Sequence, residues 1–170
     1  MAISARNQRR LDKKEIRREV IADRSTRRCG ECTACCTVLG VEELEKPAYT
    51  PCSQICGAGC QVYKNRPTTC RTYSCAWKIG ALPDEFFPPR AGFIVDTTNE
   101  LGAITVREIE PGSASNSFGA KRLVNALAAQ SVTVVVRGEH DRTILGPVEK
   151  VKAFMKQVDK RMKQQGVVPG

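Results

Sequence analysis

The sequence lacks several features that mark common classes of protein. It has a single histidine, His140, and only 5% aromatic residues. It contains no apolar run near the roughly 20 residues of a membrane-spanning helix, and no glycine-rich phosphate loop. The N-terminal segment turns polar at once, without the apolar core of a secretory signal, so we expect a cytoplasmic protein. These absences argue against a membrane span, a nucleotide-binding loop and a histidine-activated nucleophile.

Cysteine is absent after position 75, and all nine cysteines lie in one segment of the first half. Thiolates are strong ligands for soft metals, so this density indicates either bound metal or disulfides. Disulfides are rare in a reducing cytoplasm, and an odd number of cysteines suits a fully paired framework poorly. The sequence therefore favours metal binding.

The first four cysteines form the sequence CGECTACC, at Cys29, Cys32, Cys35 and Cys36. Two residues between cysteines form a tight turn that lets both sulfurs reach one metal. The side chains of adjacent residues usually diverge. We therefore expect Cys35 and Cys36 to face different metals, or different edges of one polynuclear site.

The last two cysteines, Cys70 and Cys75, follow Pro67, which suits the start of a helical turn. If that turn continued as a helix, the two side chains would stand about 140° apart around its axis. We therefore expect them to bind different metals, unless the helix ends between them.

The ligand chemistry leaves two kinds of metal centre open, because four-thiolate sites hold both zinc and iron–sulfur clusters. All-cysteine ligation argues against catalytic zinc, and His140 lies far away in a predicted polar turn. The C-x-x-C-x-x-C spacing at Cys29, Cys32 and Cys35 favours an iron–sulfur cluster. Structural zinc that replaces a hydrophobic core is the alternative.

The longer pattern resembles the CxxCxxCC family of zinc- or iron-chelating proteins. Its elements are C-x-x-C-x-x-C-C, then P-C, then C-x-[I/V]-Y-x-x-R-P-x-x-C-R-x-[Y/F]-x-C, and they extend over residues 29–77, under a third of the chain. The resemblance implies metal chelation in the bacterial cytoplasm, with the ligands Cys29, Cys32, Cys35, Cys36, Cys52, Cys60, Cys70 and Cys75. Cys56 is extra to the pattern, and we exclude it from the predicted ligands.

Aromatic and basic residues accompany the last cysteines. We expect Tyr63, Tyr73 and Trp77 to shield the metal from solvent. We expect Arg66 and Arg71 to offset the charge of the thiolates.

The remaining pattern predicts a small α+β protein, in which a metal-organised cysteine segment packs with two β-hairpins and flanking helices. We divide the chain into a basic N-terminal helix (1–28), a cysteine-rich zinc- or iron-chelating segment (29–80) and an α+β region (90–165) that can form one compact domain with it. The predicted strands are Gly92–Thr97, Ala103–Glu110, Val132–Arg137 and Arg142–Leu145. The predicted helices are Arg6–Ala22, Ser117–Gln130 and Val148–Gln164. The loop Gly112–Gly119 either caps the helix that follows or holds an anion there.

The net charge of +9 belongs to the two ends of the chain. Residues 1–28 carry ten basic and four acidic residues, and residues 147–170 carry six and two, which leaves the middle at −1. Such basic segments are typical of phosphate contacts with nucleic acid. Three functions stay open: a redox or enzymatic protein that uses an iron–sulfur or zinc centre, a structural-zinc module whose basic ends bind RNA or the ribosome, and a protein that handles iron or zinc. Metal ions are the expected partners, and the oligomeric state is left open.

Overall fold

The computed structural model describes residues 27–57, 59–96, 101–130 and 132–165, and the predicted helix Arg6–Ala22 lies outside them. The fold is α+β, as predicted. The strands are β1 (Ile55–Cys56), β2 (Gly59–Cys60), β3 (Phe93–Val95), β4 (Ala103–Glu108), β5 (Thr133–Arg137) and β6 (Arg142–Leu145). The helices are α1 (Ala34–Val38), α2 (Thr68–Thr72), α3 (Pro88–Ala91), α4 (Ser113–Asn116), α5 (Phe118–Ala129) and α6 (Val148–Gln164). Single 3-10 turns occur at Glu42–Leu44, Tyr63–Asn65 and Asp84–Phe86.

The helices and the cysteine segment pack on a four-stranded sheet with the strand order β3-β4-β5-β6. β3 pairs with β4, and β5 with β6, in antiparallel fashion, so both predicted hairpin pairs are confirmed. The two central strands β4 and β5 are parallel, with Ile104 opposite Val134. A parallel pair needs a crossover connection, and α4 and α5 provide it.

The two faces of the sheet pack against different elements, because successive residues of a strand point to opposite sides. On one face, apolar strand residues and α5 form the largest core; its buried members include Phe93, Val95, Val106, Ala120, Val124, Val134 and Val136. On the other face, Val135 packs with Phe154 of α6. Ile94 packs on Ala34 and Val38 of α1. Strand register places Ile94 and Val135 on the same face, so α6 and the cysteine segment share it.

The helices that follow β4 and β6 agree with the predicted bounds to within a residue or so. The Ser117 hydroxyl accepts a hydrogen bond from the Ala120 N–H at 3.4 Å and caps α5, as expected. The loop predicted before it contains the short helix α4. The carboxylate of Glu108, only 4% exposed, accepts hydrogen bonds from Gly112 N (3.0 Å) and Ala114 N (2.8 Å). The negative charge at the N-terminus of α4 is therefore the side chain of Glu108.

Polar contacts fix the cysteine segment to the edge of the sheet. The Tyr73 hydroxyl donates a hydrogen bond to Asp96 Oδ1 at 2.6 Å, and Arg107 Nε donates to the other carboxylate oxygen at 2.7 Å. The Ala76 N–H donates to the Val95 carbonyl at 2.8 Å, beside β3. The cysteine segment is therefore positioned by the sheet. In the part of the chain described, no helix has the length and apolar character needed to cross a membrane.

Candidate metal centre

One cavity gathers most of the cysteines. Seven of the nine line it, namely Cys29, Cys32, Cys35, Cys36, Cys52, Cys60 and Cys70. Its volume is about 50 Å³. Cys75, a predicted ligand, is not among the lining residues, and neither is Cys56, which was excluded from the prediction.

The first four cysteines come from a turn and a helix. The Cys32 N–H donates to the Cys29 carbonyl at 2.8 Å, which closes the expected C-x-x-C turn. α1 follows, and its Ala34 and Val38, four residues apart, bury one face against the sheet. Consecutive positions on a helix differ by about 100°, so Cys35 and Cys36 leave that buried face in different directions.

The β1–β2 hairpin brings Cys60 to the same place. Cys60 pairs with Ile55 across the hairpin. Gly59, at φ +113°, lies so close to the first turn that a Cβ on it would stand 2.7 Å from the Gly30 carbonyl oxygen. Cys52 is held beside α1 by its backbone, because its N–H donates a hydrogen bond to the Cys36 carbonyl at 3.0 Å.

Cys70 lies on α2, which a distant carboxylate holds in position. Glu43 Oε1 accepts hydrogen bonds from the N–H and the hydroxyl of Thr69, each at 3.0 Å. These bonds lower the pKa of the Glu43 carboxyl. α2 ends before Tyr73, whose backbone is extended at ψ 132°. Cys75 therefore lies beyond the helix, and the predicted helical angle between Cys70 and Cys75 does not apply.

The pKa values of the adjacent thiols Cys35 and Cys36 are shifted in opposite directions. Hydrogen bonding between the two raises the pKa of Cys35 and lowers that of Cys36 to about 7 by favouring its thiolate. The positive charges of Lys46 and Arg66 lower the pKa of Cys36 further.

The other shifted thiols are affected mainly by burial. Burial raises the pKa of Cys32 to about 11, and repulsion from Cys29, Cys75 and Cys36 adds to the effect. The pKa of Cys75 is likewise raised, first by burial and also by Cys29. A buried thiol stays protonated at neutral pH unless a metal or another positive charge stabilises the thiolate.

Cys70 has different neighbours. Burial raises its pKa, and repulsion from Cys36, Cys52 and Cys60 contributes in the same direction. Cys70 and these three cysteines all line the same cavity.

Lys46 is a positive charge in this site that sequence reasoning missed. It is only 8% exposed, and it lines the cavity. Its ammonium donates hydrogen bonds to the carbonyls of Thr37 (3.2 Å), Leu39 (2.5 Å) and Pro47 (3.0 Å). Burial lowers its pKa, and the nearby thiolates of the cavity act in the opposite direction. Nothing in the sequence EELEK distinguishes it from a surface lysine.

The accompanying residues divide into two groups. Tyr63, Tyr73 and Arg66 line the cavity, and the Arg66 guanidinium lies 3.8 Å from the centre of the Tyr63 ring. Arg71 is exposed on α2 instead, and it does not line the cavity. Trp77 packs with the large core on the opposite face of the sheet, its ring 4.8 Å from that of Phe87.

The sulfurs are not arranged as a finished metal site. All nine cysteines are free thiols. Within residues 27–57, 59–96, 101–130 and 132–165, no three Cys, His, Asp or Glu side chains are placed to hold one ion. Each cysteine has a single side-chain torsion with three staggered positions, so its sulfur can change position while the backbone stays in place. His140 is exposed in the turn between β5 and β6, as expected of a solvated turn residue.

No family model, curated protein or solved structure matches this chain. The resemblance to the CxxCxxCC family, and the ligands that it implies, therefore stay predictions.

Proposed function

We propose that this protein binds metal through the cysteine cavity, as an iron–sulfur protein or, alternatively, a zinc protein. The observation that carries the proposal is the convergence of seven cysteines on one cavity. They come from separate pieces of backbone: the turn before α1, α1 itself, the loop before β1, the strand β2 and the helix α2. Thiolates are the ligands that soft metals prefer, so a cavity lined by this many cysteines is suited to bind such a metal.

The size of the cavity favours an inorganic ligand. Its volume of about 50 Å³ is far below the roughly 300–1,000 Å³ of pockets that hold small organic molecules. Apolar side chains, including Leu39, Val41 and Val62, stand among the cysteines. Such a shell limits the access of water to a metal centre.

The buried ammonium of Lys46 supports an anionic occupant. Its hydrogen bonds go to neutral carbonyl groups, so its charge needs a counter-charge nearby. A centre of four thiolates and one divalent ion carries a charge of about −2. Lys46 and Arg66 at the cavity wall would offset such a charge.

Between the two metals, the spacing of Cys29, Cys32 and Cys35 favours iron–sulfur. The alternatives are a structural zinc module whose basic ends bind RNA, and a protein that handles iron or zinc. The basic N-terminal segment lies outside the described residues. The zinc module would contain zinc in place of iron and sulfide. The metal-handling protein would lose its metal readily to an added chelator.

The test is isolation of the full chain without oxygen, followed by analysis of iron, zinc and acid-labile sulfide. We expect iron and sulfide together with visible absorption; colourless protein with stoichiometric zinc supports the alternative. The variant Cys36→Ser should contain less metal than the wild-type protein, whereas Cys56→Ser, which changes a cysteine outside the cavity, should keep the full amount. Folded wild-type protein that contains neither iron nor zinc would refute the proposal.

A further inference from the structure

We infer that the cysteines form two separate four-thiolate metal centres, an inference that depends on the proposed metal binding. The first centre takes Cys29, Cys32, Cys35 and Cys75. The second takes Cys36, Cys52, Cys60 and Cys70. The division assigns each predicted ligand to one centre and leaves out Cys56.

The division begins at α1, where the two adjacent cysteines separate. With Ala34 and Val38 buried against the sheet, the side chains of Cys35 and Cys36 leave the helix about 100° apart. The two residues stand side by side at the boundary between the two centres, and each has further cysteines on its own side.

The first centre assembles on the Cys29–Cys32 turn. The backbone bond of 2.8 Å holds Cys29 and Cys32 in the geometry of a shared ligand pair. Cys32 and Cys75 both pack against the apolar cluster formed by Ala34, Val38 and Ile94. Cys75 therefore reaches the first centre from the sheet side, which explains why it does not line the cavity.

The second centre assembles on the other side of α1. The Cys52 N–H bonds to the Cys36 backbone at 3.0 Å, and the loop from Cys52 leads directly into the hairpin that carries Cys60. Cys70 comes from α2 and lines the same cavity as Cys36, Cys52 and Cys60.

The end of α2 separates Cys70 from Cys75. The chain leaves the helix at Tyr73, whose hydroxyl is anchored to Asp96 of the sheet at 2.6 Å. Tyr73 also lines the cavity. Cys70 on the helix lines the cavity, whereas Cys75 beyond it packs against Ala34, Val38 and Ile94, so the two cysteines belong to different centres.

The charges around the two centres differ. Lys46 donates a hydrogen bond to the carbonyl of Thr37, the residue after Cys36, at 3.2 Å, and Arg66 lines the same cavity, so the second centre has two cationic neighbours. Cys32 and Cys75 of the first centre lie instead against apolar side chains. The second centre is therefore the one whose metal affinity should depend on Lys46.

The test uses zinc(II) and cobalt(II) as probes on the full chain under reducing conditions. Wild-type protein should bind two ions, with cobalt spectra typical of tetrahedral thiolate sites. The pair Cys32→Ser with Cys75→Ser removes two ligands of one centre and should leave one ion bound. The pair Cys32→Ser with Cys60→Ser damages both centres and should leave none. Cys56→Ser should keep both ions.

The outcomes separate this inference from the proposed function. If wild-type protein binds no ion, metal binding itself is refuted. If it binds metal but both pairs of substitutions have the same effect, a single shared site replaces the two centres. Cadmium NMR of the wild-type chain gives an independent test that needs no substitution. Scalar coupling of Cys35 and Cys36 to different cadmium ions supports the division, and coupling to the same ion overturns it.

Discussion

The substitution Lys46→Met removes the buried positive charge while keeping most of the side-chain volume. The ammonium serves the carbonyls of Thr37, Leu39 and Pro47, and two of these belong to the end of α1. Methionine cannot donate a hydrogen bond, so these carbonyls lose a donor in a place with little access to water. We expect both the stability of the protein and the affinity of the second metal centre to fall.

The size of the stability loss follows from the hydrogen bonds. A stranded buried polar group costs about 1–3 kcal/mol, and a hydrogen bond to a charged group contributes about 1.5–3 kcal/mol. The three contacts share one ammonium and do not add fully. We therefore expect the free energy of unfolding to fall by about 3 kcal/mol, which for a chain of this size lowers Tm by about 6–12 °C. Loss of such an outer partner typically weakens metal binding by about 10- to 100-fold.

The assay is urea unfolding of the metal-loaded protein at fixed free zinc, together with competition against a chelator of known affinity. Lys64→Met is the matched control, because Lys64 is exposed and undergoes the same change of charge. We expect the control to change stability by less than about 0.5 kcal/mol. Equal effects of the two substitutions on both stability and affinity would refute the role assigned to Lys46.

Three further substitutions test the surroundings of the site. Gly59→Ala should reduce the metal content, because the added Cβ would stand 2.7 Å from the Gly30 carbonyl oxygen. Gly57→Ala is the control, since a Cβ there has no atom within 4 Å and the metal content should stay complete. Equal metal content in the two variants would contradict the close packing of Gly59 on the first turn. Ile94→Ala, at a side chain 1% exposed, should cost about 2–5 kcal/mol in denaturant unfolding, and a loss below that range would mean that the cysteine segment does not depend on this contact. Tyr73→Phe should cost about 1.5–3 kcal/mol in the same assay, because it removes a hydrogen bond to the Asp96 carboxylate of the sheet, and unchanged stability would argue against that anchor.

Sequence patterns predicted the regular elements well where local physics determines them. The apolar residues of α6 recur at three and four positions, and the predicted bounds Val148–Gln164 agree with the structure. Both hairpin pairs follow from short β-rich runs around turn residues. The parallel pairing of β4 with β5 was not predicted, because strand patterns do not say which strands become neighbours across a helical crossover.

The sequence predicted which cysteines form the site better than it predicted how the surrounding side chains are arranged. Cysteine spacing identified the thiols, and seven of the eight predicted ligands line one cavity. The position of Lys46 depends on a turn that folds back over α1, which no local pattern reveals. Trp77 stands two residues after Cys75, yet its indole packs into the core on the other face of the sheet. Nearness in sequence was therefore a poor guide to which aromatic residues shield the cavity.

The most direct test of the central claim is X-ray absorption spectroscopy of the metal in protein isolated without oxygen. Binding through the cysteine thiolates predicts a first coordination shell made of sulfur, at about 2.3 Å for zinc. A first shell of nitrogen and oxygen atoms at about 2.0–2.2 Å would show that the metal is bound elsewhere.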